Sequence, residues 1–239
     1  VPNLNWSGGT SRPRYFQIRG IGERSHYFGE GPPNFSVGFV IDNIDISGLG
    51  MVGQLFDIDQ IEIFKGPQSS LFGPNSMGGL ISINTNDPSN IDEIKLQSTF
   101  GTFNHKNLSA MINRKITESI SARFSIVSNY NDGFRENTYL GKTSTNKRDE
   151  LTVRAKLKFQ TNNLNSQLSF IFSDLNNGYD AWSPDNNNSY ETYSDSIGFD
   201  SQSFLGSSFT NSIYISNKFK LVSITSLSKN KLTHAYDGD

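Results

Sequence analysis

The side chains of this 239-residue chain that could do chemistry are its carboxylates, its basic residues and three histidines, because it has no cysteine. The lack of cysteine excludes disulfides, thiolate metal ligands and thiol catalysis. His26, His105 and His234 fall in distant segments, so a metal site made from all three is not expected. No Ser-His-Asp or paired-carboxylate constellation occurs at a meaningful spacing. The sequence therefore predicts neither an enzyme nor a bound cofactor or metal.

Two glycine-rich stretches do not match nucleotide-binding motifs. Gly20-Ile21-Gly22 has Ser25 where a dinucleotide motif needs its third glycine, and no helical pattern follows. The stretch Gly73–Gly79 lacks the Gly-Lys-Ser/Thr ending of a phosphate loop. The net charge of −2 gives no electrostatic reason to expect a nucleic-acid partner.

A polar stretch near residues 180–195 carries the densest group of oxygen ligands. Asp185-Asn186-Asn187-Asn188, with Asp180 and Asp195, offers the hard oxygens that calcium prefers, although a solvated loop is the favoured interpretation. Tyr179 and Trp182 in the same stretch either stack on a ligand or mark a membrane interface, and the sequence leaves both readings open.

The composition is unusual for a packed soluble domain. Hydrophobic residues make up 34% and aromatic residues 12%, which fits strands whose every second residue is apolar, with aromatic girdles at two interfaces. No apolar run reaches the length of a membrane helix. The residues from Val1 to Trp6 lack an initiator Met and the features of a signal peptide, so we expect the natural start to lie upstream.

Glycine and proline punctuate residues 1 to 88, and short β-like runs lie between them. This pattern is typical of a small mixed domain with long functional loops. Pro67 and Gly73 bracket a short stretch and predict one helical turn. The predicted β-like runs are Tyr15–Arg19, Ser36–Ile41, Gln60–Phe64 and Leu80–Thr85.

From about residue 91 the apolar residues recur with period two. The clearest case is Leu151–Gln160, where five apolar residues alternate with five polar ones, three of them cationic. The other predicted strands are Ile94–Phe100, Leu108–Ile112, Ile120–Tyr130, Leu164–Ser173, Phe209–Phe219 and Leu221–Leu227.

The connections between these strands differ in length. Lys115–Glu118 and Thr161–Asn163 are short, whereas Asn131–Lys147 and Asn176–Leu205 are long and polar. A soluble antiparallel sheet also alternates, but short turns that alternate with long loops favour an outer-membrane barrel. Its polar face would carry Arg123, Arg154, Lys156 and Lys158, which either pair with carboxylates of the first region or line a wet interior.

Residues 56–85, FDIDQIEIFKGPQSSLFGPNSMGGLISINT, carry the most specific motif in the chain. They resemble the signature of TonB-dependent receptor plugs, I-E-x-I-E-V-x-R-G-P-x-S-x-L-Y-G-x-x-A-x-G-G-x-I-N-I-x-T. Ile18-Arg19-Gly20 and Val40-Ile41-Asp42-Asn43-Ile44 resemble two upstream blocks of that family. Gln60 and Lys65 stand where the family usually has Arg, and Lys cannot form the planar bidentate contact of Arg.

The resemblance implies a fold and a division of the chain. We expect a mixed α/β plug domain over residues 1–88, followed over residues 89–239 by about seven strands of an antiparallel transmembrane β-barrel, with about 22 strands in a complete barrel of this kind. Because an open membrane sheet would leave unpaired edges, both the plug and the barrel are expected to continue beyond this sequence.

The resemblance also implies function and partners. It predicts active uptake of a scarce nutrient, most commonly a ferric siderophore or similar iron chelate, across the bacterial outer membrane. The partners would be a TonB-type periplasmic energy-coupling protein, an extracellular small-molecule ligand and outer-membrane lipid. The alternative is a secreted β-rich adhesin or ligand-binding protein without transport.

The resemblance also implies candidate site residues at matching positions. Outward-facing apices of the plug would touch the ligand; the candidates are Arg24, His26, Tyr27, Phe28, Leu49 and Met51. Arg19, Glu62 and Lys65 would attach the plug to the barrel wall, since charged residues in an enclosed plug need partners.

Overall fold

The computed structural model describes residues 2–7, 10–22, 35–49, 55–180 and 189–237. These residues are mostly β-strand, and helix is confined to α1 (Ser69–Phe72) and one 3-10 turn (Pro74–Ser76). None of the helical residues just described forms a segment long and apolar enough to span a membrane. The predicted helical turn is confirmed, and it ends at Gly73, whose φ of 82° requires glycine.

The first part of the chain forms a hairpin and a small sheet. β1 (Leu4–Ser7) pairs antiparallel with β2 (Tyr15–Ile18). The small sheet has the order β4-β3-β6-β5, with β3 parallel to β6 and the other pairs antiparallel. Its strands are β3 (Val37–Ile41), β4 (Ile44–Asp45), β5 (Ile58–Lys65) and β6 (Gly79–Thr85).

The second part forms one antiparallel sheet of seven strands, the large sheet, in which each strand pairs with the next one along the chain. A two-stranded parallel pair, β10 (Glu136–Asn137) with β13 (Glu191–Thr192), lies in the connecting segments. The strands of the large sheet are β7 (Glu93–Gly101), β8 (His105–Lys115), β9 (Ile120–Asn131), β11 (Arg148–Gln160), β12 (Leu164–Gly178), β14 (Phe199–Ser216) and β15 (Phe219–Ala235).

The two faces of the large sheet have opposite character. Large apolar side chains on one face, such as Phe124, Leu157 and Phe170, remain 39–44% exposed. The opposite face buries polar residues, among them Ser125, Thr152 and Arg154. The apolar face therefore points outward, and the polar face is turned toward the small sheet.

The structure corrects the predicted boundaries of two strands. β14 begins at Phe199 and not near Phe209, and β12 runs on to Gly178, so the long connection covers residues 179–198 only. The outward positions of β14 explain the error. Ser201, Ser203 and Ser207 stand where an alternating pattern needs apolar residues, which hides the strand.

The apolar core lies between the small sheet and the polar face of the large sheet. Ile44 and Ile81 of the small sheet share one buried cluster with Ile171, Leu175 and Phe204 of the large sheet. Gly206 permits this contact, because a Cβ there would lie 2.8 Å from Cγ2 of Ile44.

The strands of the large sheet have two kinds of connection. We call the end of the sheet with connections 132–147 and 179–198 the loop end, and the end with connections 116–119, 161–163 and 217–218 the turn end.

Candidate functional site at the interface of the sheets

Charged side chains of the polar face reach the small sheet at the turn end. Arg123 of β9 holds Asp57 through two bonds, Nη2–Oδ1 at 2.6 Å and Nε–Oδ2 at 2.9 Å. Both side chains are less than 10% exposed. Asp57 lies in the turn before β5, with a φ of 59°, and its carboxylate faces the large sheet. This planar, bidentate pair is the strongest geometry available to a carboxylate.

Lys156 of β11 makes the second turn-end attachment. Its Nζ lies 2.8 Å from Asp42 Oδ1 and donates to the carbonyl oxygen of Thr85 at 2.8 Å. Asp42 also accepts the hydroxyl of Thr85 at 2.7 Å, and its carbonyl accepts the hydroxyl of Ser208 at 2.6 Å. Asp42, which directly follows β3, is thus tied to two strands of the large sheet, to β11 through its carboxylate and to β14 through its backbone carbonyl.

Two further cations of this face behave differently. Arg154 donates to the carbonyl oxygen of Phe56. Lys158 is half-buried and lines a polar cavity of about 710 Å³ at the turn end. Of the two readings that the sequence left open, pairing with carboxylates holds for Arg123 and Lys156, and lining of polar space holds for Lys158.

At the loop end, Glu150 of β11 receives Arg12. The Nε of Arg12 donates to Oε1 at 2.7 Å, and Nη2 contacts Oε2. Amide groups of Asn129 and Asn177 donate to the same carboxylate at 3.1 and 2.9 Å. Glu150 is 4% exposed, and these donors compensate its buried charge.

Asp200 of β14 forms the second loop-end attachment. It accepts Arg14 Nη2 at 2.5 Å and the hydroxyl and backbone N–H of Ser11 at 2.5 and 2.9 Å. His234 of β15 places Nδ1 at 3.5 Å from Asp200 and packs its ring 4.7 Å from that of Tyr179. Burial of the Tyr179 hydroxyl, with the nearby carboxylate of Asp200, raises the pKa of Tyr179 above its ordinary value.

The link between the two sheets is anchored as well. Asn113 of β8 donates its amide to the carbonyl oxygen of Ser89 at 2.9 Å and accepts the Ser89 backbone N–H at 3.1 Å. Asp92 accepts the backbone N–H of Lys115, which, together with Arg114, lowers the pKa of Asp92. Unlike the pairs inside, the Arg114–Asp92 pair is more than half exposed.

The interface as a whole is a set of buried ion pairs. Removing one partner of such a pair leaves a buried charge and costs about 3–5 kcal/mol, whereas an ion pair in contact with water contributes only about 0–1 kcal/mol. The small sheet is therefore held firmly while the interface is dry, and the same contacts become weak once water enters.

Both long connections at the loop end are joined to one another. Asp180 is 4% exposed and accepts three bonds, from Asn137 Nδ2 at 3.0 Å, Thr192 Oγ1 at 2.8 Å and Ser194 Oγ at 2.9 Å. It is therefore a structural carboxylate that receives hydroxyl and amide donors. Asp195 is exposed, and the remaining members of the proposed calcium group, with Trp182, lie outside the described residues.

The predicted ligand contacts are only partly visible. Leu49 is half-buried and packs against the core of the small sheet. The other five candidates, Arg24, His26, Tyr27, Phe28 and Met51, lie outside the described residues.

Among the described residues, the predicted plug attachments form no ion pair with the large sheet. Arg19 and Lys65 are exposed and Glu62 is half-buried, and among the residues described none of them forms an ion pair. The ion pairs from the first part of the chain to the large sheet are formed by Arg12, Arg14, Asp42 and Asp57. The sequence shows only that these charged residues lie beside apolar strands, which does not identify the residues that they bind.

Comparison with known proteins assigns a family to the first part of the chain. Residues 1–80 match the model of the TonB-dependent Receptor Plug Domain. The vitamin B12 transporter BtuB of Vibrio vulnificus is 26% identical over 125 residues, which cover 49% of this chain and 20% of that protein.

Solved structures agree with the fold over nearly the whole chain. The ferric yersiniabactin uptake receptor FyuA of Yersinia pestis matches with a TM-score of 0.86 and 13% identity, covering 100% of this chain and 38% of that one. The siderophore receptor PiuA of Acinetobacter baumannii gives 0.75 at 15% identity, over 98% and 33% of the two chains. The ferripyoverdine receptor of the outer membrane of Pseudomonas aeruginosa gives 0.75 at 14% identity, over 100% and 32%.

A plug-like region seated on the polar face of an antiparallel wall, apolar on its outer side, defines a β-barrel receptor segment. The plug-model match over residues 1–80, the curated relative and the fold together support a fragment of a TonB-dependent receptor. It spans about a fifth of that curated relative and about a third of the solved structures.

Proposed function

We propose that this chain is the plug and the first strands of an outer-membrane receptor that actively imports a scarce nutrient, with a ferric siderophore or similar iron chelate as the substrate. Buried ion pairs fasten the N-terminal hairpin and the small sheet to the polar face of the large sheet, and this attachment carries the proposal. In that arrangement the plug closes the interior of the barrel, and hydration of its buried ion pairs would release it.

The proposal divides the chain into a mixed α/β plug over residues 1–88 and barrel strands over residues 89–239. In the complete protein we expect about 22 strands, as in plugged transporters. The loop end would face outside and the turn end the periplasm, since short turns lie on that side of such barrels. Ligand contact by Arg24, His26, Tyr27, Phe28, Leu49 and Met51 remains part of this proposal.

Energy would come from a TonB-type periplasmic protein that acts on the plug. The N-terminal hairpin is held to the wall by Arg12 and Arg14, so a pull on it would reach Glu150 and Asp200 first. Arg19, Glu62 and Lys65 are proposed to contact other parts of the wall.

The test is uptake by the full-length receptor in cells that lack their own iron-chelate receptors. We expect radioactive iron to accumulate with at least one ferric chelate, and accumulation to vanish when the coupling protein is deleted. Because BtuB is a relative, cobalamin is supplied in a parallel arm. Uptake that persists without the coupling protein, or uptake of none of these substrates, contradicts the proposal.

A locking experiment tests whether the plug must move. The chain has no cysteine, and Ser11 Oγ lies 2.9 Å from Asn177 Nδ2. Ser11→Cys with Asn177→Cys, bridged by a short thiol cross-linker, should stop uptake, while each single variant treated alike should still transport. Full transport by the bridged protein would mean that this part of the plug stays in place.

A further inference from the structure

His234 lies beside the residue of the large sheet that holds the turn of the N-terminal hairpin. In the register of β14 and β15, His234 stands directly opposite Asp200. Its Nδ1 lies 3.5 Å from Asp200 Oδ1, and the same oxygen accepts Nη2 of Arg14 at 2.5 Å. A ring that can gain a charge therefore faces the carboxylate that fastens Arg14.

The ring of His234 is fixed in place by other rings and not by hydrogen bonds. Its centre lies 4.7 Å from that of Tyr179 and 5.8 Å from that of Tyr236. Both ring nitrogens are buried, and within the described part of the chain neither has a hydrogen-bond partner. The hydrogen-bonding groups of His234 are therefore unused while the hairpin is attached.

The single negative charge of Asp200 is already balanced by the hairpin. Oδ1 accepts Arg14, and Oδ2 accepts the hydroxyl and the backbone N–H of Ser11 at 2.5 and 2.9 Å. All three donors belong to the turn between β1 and β2. A second cation beside Asp200 would have to share its charge with Arg14.

The charged and titratable groups around His234 come from several elements. Asp200 faces it from β14, and the phenols of Tyr179 and Tyr236 face it from the segments after β12 and β15. Arg14 lies behind Asp200, and the positive charge of Arg135 acts on Tyr179. Farther along the chain, Asp237 accepts the backbone N–H groups of residues 195 and 196 at 2.8 and 3.3 Å. Among the described residues, Asp200 is the carboxylate within ion-pair distance of His234.

Protonation of His234 would change the balance at Asp200. Histidine is the side chain whose charge changes between pH 5 and 8, and the protonated ring donates from both nitrogens. With the hairpin attached, protonated His234 and Arg14 share one carboxylate and repel each other. Without the hairpin, His234 has the charge of Asp200 to itself. A proton therefore binds more tightly once Arg14 has left.

Linkage gives the direction of the effect. The state that binds more protons is favoured as the pH falls, and this is the state in which the hairpin is released. The coupling is reciprocal, so a proton on His234 weakens the attachment of Arg14 by the same factor by which Arg14 weakens the binding of the proton. Acid therefore favours release, and neutral pH favours attachment.

We propose that His234 makes the attachment of the N-terminal hairpin sensitive to pH, so that acidification at the loop end weakens the hold of Asp200 on Arg14 and Ser11. Arg12 still binds Glu150, so acid lowers the denaturant or force that frees the hairpin. This inference rests on the proposed function, in which the hairpin belongs to the plug and the loop end faces outside. It adds a regulation of the plug by the pH of the external medium.

The test measures hairpin release in the full-length receptor folded into lipid vesicles. Spin labels on Asn5→Cys and Lys142→Cys, both at exposed positions, report the distance between the hairpin and the loop end by pulsed electron paramagnetic resonance. At the urea concentration that releases half of the hairpins at pH 7.5, transfer to pH 5.5 should raise the ratio of released to attached hairpins about 10-fold. This is the change that a tenfold difference in proton affinity between the two states produces.

Two histidine variants locate the response. His234→Gln cannot take up the proton, so its ratio should be the same at both pH values. His105→Gln is the matched control, because His105 also has a buried Nε2 without a partner among the described residues. It should respond to pH as the unaltered receptor does. His26 is retained in both variants, so a response that came from His26 would persist in His234→Gln.

Three results overturn the proposal: no response in the unaltered receptor, an undiminished response in His234→Gln, or loss of the response in His105→Gln. The experiment follows a distance and needs no substrate. Its failure is therefore distinct from a failure of the uptake assay, which tests transport at a single pH.

Discussion

Arg123 on the wall and Asp57 at the start of β5 form a bidentate ion pair that joins residues 66 positions apart in the sequence. Both side chains are nearly buried, whereas the Arg114–Asp92 pair only a strand's width away is more than half exposed. The two pairs have the same charges and the same shortest contact of 2.6 Å, but the Arg123–Asp57 pair is both bidentate and buried.

Removing Arg123 should therefore release the plug, while removing Arg114 should not. We expect Arg123→Met to destabilise plug docking by about 3–5 kcal/mol, because Asp57 is left as a buried unpaired charge. Arg114→Met should change it by about 0–1 kcal/mol, as for exposed pairs. A fluorophore on Asp59→Cys, followed through urea titration, would report plug release. Equal effects of the two variants would show that this ion pair does not fasten the plug.

The glycine that opens β6 gives a second prediction. Gly79 has a φ of 154°, and a Cβ there would lie 2.5 Å from the carbonyl oxygen of Phe64. Gly66 has a similar φ of 135° but open space around it. Gly79→Ala should lower the midpoint of the same urea titration more than Gly66→Ala does, because it adds a steric clash to the backbone strain that both share. A larger shift for Gly66→Ala would mean that the close approach of β6 to β5 is relaxed at little cost.

Asp180 should hold the two long connections together. Asp180→Ala leaves the donors of Asn137, Thr192 and Ser194 without their common acceptor, at about 1–3 kcal/mol for each group that stays buried. We expect backbone amides around residues 136–142 and 190–194 to exchange with deuterium faster in this variant. Asp195→Ala, in the same segment but exposed, should leave exchange at residues 136–142 unchanged. Unaltered protection in Asp180→Ala would show that the segments are ordered independently.

Particular residues show how far sequence alone reaches. The alternation from Leu151 to Gln160 predicted a two-faced strand, and the cations on its polar face were correctly expected to point inward, because side-chain period and strand geometry are local properties. Asp42 and Asp57 were not chosen as partners of those cations. Both sit in turns with positive φ, and their partners are determined by tertiary packing that no local pattern encodes.

The same limit explains the error in β14. Ser201 and Ser203 pair with Asn176 and Asp174 of β12 and with Thr233 and Lys231 of β15. The outward surface is therefore polar at this end of the sheet, and apolar alternation cannot reveal the strand there. Conversely, the glycines and the Gly-Pro of residues 66–79 were informative because each meets a local backbone demand: Gly73 at 82° and Gly79 at 154° require glycine whatever packs against them.

The outward face of β12 provides a test of membrane placement. Phe170 and Asn176 point to the same side of that strand, six residues apart, which corresponds to about 20 Å along it. If the apolar band lies in lipid, Phe170→Arg should destabilise the folded receptor in a bilayer by about 2–4 kcal/mol, and Asn176→Arg by about 0–1 kcal/mol, because the cost depends on depth. Urea titration of the receptor folded into vesicles measures both values. Equal costs for the two positions would contradict the lipid-facing assignment and favour the secreted binding protein instead.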